Sequence, residues 1–153
     1  MSGLRTTKTD RVARIVFDRP DVLNALSPDL LQDLIDACGK LGAREDTKVV
    51  VFEGAGGSFS AGADLPAFLA ELGQTDPTST ADLGRRATNA IADLPQITIA
   101  GITGHCVGGG LVLAGACDIR LASDDAKFSI PELDAGIPLA WGGIAHLVRL
   151  MGE

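Results

Sequence analysis

No apolar run in this chain is long enough to cross a bilayer, because Gly, Asp or Pro interrupts each candidate well short of the ~20 residues a spanning helix needs. Basic charge is also scarce: 13 Lys and Arg stand against 20 Asp and Glu, for a net charge of −7. No basic stripe or interleaved aromatic cluster offsets this, and a surface of that sign repels a phosphate backbone, which excludes nucleic acid as a partner. The opening MSGLRTTKTDR has no apolar core of the kind a secretory signal carries, so a cytoplasmic, non-membrane protein is expected. Cysteine is sparse and odd in number, at positions 38, 106 and 117, without zinc spacing. That pattern fits a reduced compartment and gives neither a disulfide framework nor a metal site. Cys38 and Cys117 sit in apolar stretches as small core residues; Cys106 has only His105 as a cationic neighbour, too little to activate a thiol. His105 and His146 are the only histidines, and no Ser/His/Asp arrangement stands out.

What is present is core-forming material. At 153 residues and 46% hydrophobic, the chain is one domain, residues 1–153, with enough apolar side chains to fill an interior. Val12–Phe17 reads as a strand, broken by Asp18-Arg19-Pro20-Asp21. Ser27-Pro28-Asp29 is a helix start, with Ser as N-cap, Pro in the first turn and an acid facing the dipole. Leu30, Leu31, Leu34, Ile35, Cys38 and Leu41 follow at helical spacing. Val49–Phe52 reads as a strand buried on both faces. Gly73–Thr80 reads as an exposed loop, with Thr80 capping a helix through Leu83, Ala87, Ile91 and Leu94 that Pro95 ends. Ile97–Ile102 is a third strand, Leu111–Ala116 a short helix, and Ile119–Ala122 and Phe128–Ile130 short strands. Ile144, Leu147, Val148 and Met151 form a last helix that Gly152 stops. Strand and helix alternating in this way imply an α/β fold with a largely parallel sheet.

Two glycine-rich turns carry the chemical interest. Gly108-Gly109-Gly110 lies between an apolar strand and an apolar helix, and Ser60-Ala61-Gly62-Ala63-Asp64 follows a buried strand. A helix starting near Gly109 presents free N–H groups and the positive end of its dipole. The run has no Walker lysine and does not read as GxGxxG, which disfavours a nucleotide phosphate. Two readings stand for it: close packing of helix on strand, or backbone donors aimed at a ligand oxygen. Asp64 reads first as the cap of the following helix. Glu132, held by Pro131 among Ile130, Leu133 and Ile137, is either a partly desolvated carboxylate suited to proton transfer or an exposed loop glutamate.

In order along nearly the whole chain, these segments resemble the enoyl-CoA hydratase/isomerase (crotonase) family. The matching pieces are Asp18-Arg19-Pro20 with Asn24-Ala25-Leu26-Ser27; Val49–Gly54 with Phe59–Leu65; Gly104 and Gly108–Gly110 with Cys117-Asp118-Ile119-Arg120; and Phe128, Pro131-Glu132, Gly136-Ile137-Pro138 and Gly142-Gly143. The resemblance implies a crotonase-like spiral of repeated ββα turns and an acyl-CoA thioester as substrate, with no cofactor. It places the Ala61 and Gly109 N–H groups on the thioester oxygen and makes Glu132 the acid–base group. It also puts Ala25, Ala63, Asp64, Leu65, Gly108 and Val112 at the substrate. A homo-oligomer, trimer or hexamer, is expected from it.

Four departures from the family pattern shape the expectation. The second glutamate common in hydratases falls at Val112, which leans toward isomerisation by one base, a Δ3–Δ2 enoyl-CoA shift, with hydration as the alternative. Ala140 lies where dienoyl isomerases carry an acid, leaving Asp134 as a substitute. Leu23 and Pro66 occupy the usual basic positions, so phosphate contacts fall to Arg19, Arg85 or Arg86, or phosphate affinity is weak. Family members continue into C-terminal helices that complete the pocket and trimer, a part expected to be absent here and supplied by association, if at all. The contrasting expectation is an acyl-CoA-binding or assembly subunit without turnover.

Overall fold

The computed structural model describes residues 3–71 and 77–152. In chain order it contains β1 (Leu4–Thr9), β2 (Val12–Phe17), α1 (Pro28–Gly42), β3 (Val49–Gly54), α2 (Leu65–Glu71), α3 (Pro77–Ala92), β4 (Ile97–Ile102), β5 (His105–Val107), α4 (Gly109–Ala116), β6 (Ile119–Ala122), β7 (Lys127–Ser129) and α5 (Gly143–Met151). β1 and β2 form an antiparallel hairpin, and β3, β4 and β6 add in parallel to give the sheet order β1-β2-β3-β4-β6. Among the described residues no helix is long and apolar enough to cross a membrane.

Local chemistry explains the strongest elements. The Ser27 hydroxyl accepts from the Leu30 N–H at 3.3 Å, and Pro28 opens α1 where its missing N–H costs nothing. At the other end of α1 the buried Gln96 side chain donates to the Leu41 carbonyl at 2.8 Å, which also accepts from the Arg44 N–H at 2.9 Å. Leu30, Leu31 and Leu34 of α1 and Ala87 and Ile91 of α3 cover one sheet face, formed by Ala13, Ile15, Phe17, Val50, Phe52 and Ala100. Phe17 meets Phe59 edge to face at 5.5 Å. At the edge of the sheet, Asp118 binds the Thr98 N–H and hydroxyl, each at 2.8 Å, and so joins the start of β4 to the start of β6.

The expectation of a strand buried on both faces is corrected at β3. Val50 and Phe52 are fully buried, whereas Val49 and Val51 are half-buried, because the helices pack on the other side. α3 starts at Pro77, so Thr80 lies inside a helix; residues 73–76 of the expected loop lie outside the described residues. α4 begins at Gly109 rather than Leu111.

A second, smaller layer completes the spiral. β5 pairs in parallel with β7, and single bridges extend the layer to Ser60↔Cys106 and Leu26↔Ala63. Each turn of chain thus lays one strand in the main sheet, crosses to a short extended piece in the second layer, and moves on toward a helix. β2 passes through Leu26 to α1, β3 through residues 60–63 to α2, β4 through β5 to α4, and β6 through β7 toward α5. This is the repeated strand–strand–helix spiral of the crotonase fold.

Candidate active site

The points where successive turns leave the second layer lie side by side. They enclose two contiguous apolar compartments of about 300 and 190 Å³ that share Ala63, Leu65, Glu132 and Ile137. Ala61, Val107 and Gly108 belong to the larger compartment; Gly109, Val112 and Trp141 line the smaller. A cavity of about 360 Å³ near Gln96 lies at the opposite ends of β3 and β4, among surface residues such as Arg44, Glu45 and Lys48.

Backbone donors in this region are not equivalent. The Ala61 N–H donates to the Leu23 carbonyl at 2.8 Å, so it is already engaged, and the expectation that it serves a ligand oxygen is corrected. Two residues on, Leu26 donates to the Gly62 carbonyl and accepts from the Asp64 N–H, which turns the intervening Ala63 N–H away from that partner. The Ala63 N–H has no hydrogen-bond partner among the described residues. Gly109 opens α4, where the first N–H groups have no intrahelical acceptor. The two segments touch: a Cβ at position 62 would fall 3.6 Å from the Gly109 nitrogen. Ala63 and Gly109, rather than Ala61 and Gly109, are therefore the available pair.

Glu132 reaches into the same space from the segment after β7. Its Oε2 is buried without a hydrogen-bond partner. Its Oε1 lies over Gly108, where an added Cβ would come within 2.5 Å of it, and Gly108 has φ +49°, a backbone that side chains rarely adopt. The role of Gly108 is to leave room for this carboxylate. Of the expected desolvating neighbours, Ile130 is half-buried and Ile137, though 53% exposed, lines both compartments beside Glu132, whereas Leu133 is 69% exposed and lines neither. Among the described residues Glu132 is the one carboxylate lining either compartment. Val112 is fully buried in the smaller one, against Leu139, and Ala140 lines it too, while Asp134 is exposed and lines neither.

The enoyl-CoA hydratase/isomerase family model matches residues 7–153. The chain belongs to this family. A crotonyl-CoA hydratase of Syntrophomonas wolfei is 34% identical over 146 residues, covering 95% of this chain and 56% of that protein. The solved enoyl-CoA hydratase/carnithine racemase of Magnetospirillum magneticum superposes with TM-score 0.91 at 32% identity, over all of this chain and 58% of its own. The enoyl-CoA hydratase of Bacillus anthracis gives 0.90 at 32% identity, over 99% and 59%. The chain thus spans a little over half the length of the curated relatives it matches.

Within this family member, other expected site residues have structural partners. Asp64 caps α2 by accepting from the Ala67 N–H at 3.2 Å and pairs with Arg19 at 2.9 Å, so its expected place at the substrate is corrected. Arg19 also donates to the Ala25 carbonyl at 2.6 Å; Ala25 lines neither compartment. Arg85 pairs with Asp82, leaving Arg86 exposed and without an ion-pair partner among the described residues. Leu65, Ala63, Gly108 and Val112 do line the compartments. All three cysteines are buried, and burial pushes each thiol up to about 12. His105 contacts the Ser58 hydroxyl through Nδ1 at 3.2 Å, away from both compartments.

Two supports escaped sequence reasoning. Asn24, fully buried at φ +56°, donates to the Ala55 and Ser58 carbonyls at 2.8 and 2.7 Å, and Ser60 bridges the Asn24 carbonyl to the Gly62 N–H. Together they fix the turn that carries Ala63. Trp141, at φ +58°, lays its indole against Gly109. Asparagine's tolerance of the left-handed region was the available signal for the first; nothing local marked the second.

Proposed function

We propose that this site binds the thioester of an enoyl-CoA and shifts its double bond with one carboxylate. The carrying observation is that Glu132, with a buried and unpartnered oxygen, faces a compartment bordered by the unengaged N–H groups of Ala63 and Gly109. In this reading the thioester oxygen accepts from both N–H groups. Glu132 takes a proton from the α-carbon; the C–H electron pair moves toward the carbonyl, and the enolate charge settles on the held oxygen. The same carboxylic acid then returns the proton at the γ-carbon, and the double bond moves from the 3 to the 2 position. Donors fixed in advance lower the barrier to such charge, and losing one typically costs about 3–4 kcal/mol. No second carboxylate is needed, which suits a wall closed by Val112.

A second reading, addition of water to a 2-enoyl-CoA, is supported by the hydratase names of the relatives. It requires Glu132 to serve both the water and the α-carbon. Self-association, expected as a trimer or hexamer, belongs to the same reading, and exposed Leu69 and Leu133 support association of some kind.

A panel of 2- and 3-enoyl-CoA substrates followed by mass separates these outcomes, since hydration adds one water and isomerisation adds nothing. Conversion of 3-enoyl to 2-enoyl-CoA, lost in Glu132→Gln, is the expected result. Turnover surviving in Glu132→Gln overturns the role of Glu132. Addition of water to crotonyl-CoA without isomerisation overturns the single-base shift, and binding without turnover leaves an acyl-CoA-binding subunit.

A further inference from the structure

The smaller compartment ends on Trp141, and the way this residue is held has no role in the proton shift. Trp141 lies in the left-handed region at φ +58°, where bulky side chains are rare. Such a conformation persists only when its surroundings over-determine it. The surroundings here are two helices stripped to glycine at the point of contact. A Cβ at Gly84 of α3 would fall 2.0 Å from the indole, and one at Gly109 of α4 would fall 2.2 Å from its six-membered ring. Phe68 of α2 lies against the same indole, with ring centroids 6.2 Å apart. The indole therefore fills a gap between α3 and α4 whose walls are bare backbone on both sides. On its other side it is a wall of the 190 Å³ compartment, beside Val112 and within the same space as Glu132.

We infer that Trp141 is the specificity-determining plug of the acyl compartment, limiting the site to short acyl chains. This rests on the acyl-CoA reading above. A cavity of about 150 Å³ holds one benzene molecule, so 190 Å³ has room for roughly seven or eight carbon atoms. Removing the indole joins that space to the gap between Gly84 and Gly109 and extends it by roughly the volume of the ring system. Longer chains then gain a channel between the two helices, and short chains lose an apolar wall.

The test compares kcat/KM for four-carbon and ten-carbon enoyl-CoA in the native chain, Trp141→Phe and Trp141→Ala. The native chain should favour four carbons by at least tenfold; the alanine variant should lower that ratio by at least tenfold, with phenylalanine between. An unchanged ratio in an alanine variant that still melts cooperatively overturns the inference and leaves the acyl-CoA reading intact. Trp141 is the sole tryptophan, so its fluorescence reports on this wall without any variant. Titration of the native chain with butanoyl-CoA should shift the emission while coenzyme A alone does not, and decanoyl-CoA should bind at least tenfold more weakly. Equal responses to all three overturn the plug even if the alanine variant fails to fold. Absence of both binding and turnover for every acyl-CoA sinks the underlying reading, and the plug with it.

Discussion

A single methyl group at position 108 should disable the carboxylate twenty-four residues away. In Gly108→Ala the new Cβ would stand 2.5 Å from Glu132 Oε1 and 3.2 Å from the carboxyl carbon. Ordinary contact for such atoms is ~3.5 Å, so the carboxylate must move by roughly 1 Å. A misplacement of about 1 Å at a reacting group costs on the order of 10²-fold in rate. The substitution also places alanine at φ +49°, ψ −117°, which adds strain of about 1–3 kcal/mol and lowers the melting temperature by roughly 2–4 °C per kcal/mol. The two effects separate if isomerisation of a 3-enoyl-CoA is assayed at saturation, well below both melting points. We expect kcat to fall about 100-fold with KM changed only a few-fold. Glu132→Gln alone should cost roughly 10²–10⁴, the usual worth of a general acid–base group. Gly108→Ala added to it should cost almost nothing more, because both act through one carboxylate. Full kcat in Gly108→Ala, or a second 100-fold loss in the Gln background, would refute the coupling.

Val112→Glu brings a second carboxylate to the smaller compartment and should shift products from isomerised toward hydrated acyl-CoA by mass; a folded variant with an unchanged product ratio counts against the single-base account. Asp118→Ala removes the two hydrogen bonds that the carboxylate accepts from Thr98, while the backbone N–H of residue 118 still donates to the Thr98 hydroxyl, and at this solvent-exposed edge should cost about 2 kcal/mol by denaturant unfolding. The Thr98 N–H and then its hydroxyl hold the Asp118 carboxyl below its ordinary range, so its contribution is full above the unfolded carboxylate value near pH 4 and fades as pH falls through the folded value. The stability gap between native and Asp118→Ala should therefore be smaller at pH 3 than at pH 7, and an equal gap contradicts the assignment. With each thiol pushed up to about 12, the native protein should resist a thiol-specific disulfide reagent at pH 8, and all three cysteines should react in guanidinium; rapid native labelling of any one refutes its burial.

Elements built on periodicity were legible from sequence. α1, β2 and β4 follow from capping residues and apolar spacing alone, since each buries a face set by its own side chains, and α5 follows from its apolar spacing although only Gly143 and Leu147 of it are buried. The misses have a common physical cause. β1 is polar, LRTTKT, mostly exposed, and ordered by its pairing with β2 at the sheet edge. β5 is three residues long and owes its conformation to β7 on one side and Ser60 on the other. Neither strand has a local reason to exist. Both depend on partners from other turns of the chain, which no window of sequence displays.

The same logic accounts for the exchange of Ala61 for Ala63. The two alanines flank one glycine, and composition cannot tell them apart. Direction does, because in an extended segment successive N–H groups alternate sides. Ser60 exchanges bonds with β5, through the His105 carbonyl and the Val107 N–H. Ala61, the next residue, therefore turns the other way and meets the Leu23 carbonyl. Leu26 then takes the Gly62 carbonyl and the Asp64 N–H, so Ala63 is directed back from Leu26 toward the side where α4 begins. At that place the pairing of β5 has ended and the N-terminus of α4 leaves Gly109 without an acceptor. A free N–H from the second turn thus meets a free N–H from the third, and the fourth turn delivers Glu132 over Gly108. The glycine run matters through this convergence: Gly108 admits the carboxylate and Gly109 supplies the donor, two roles that adjacent glycines carry only because the spiral stacks three consecutive exits from one layer.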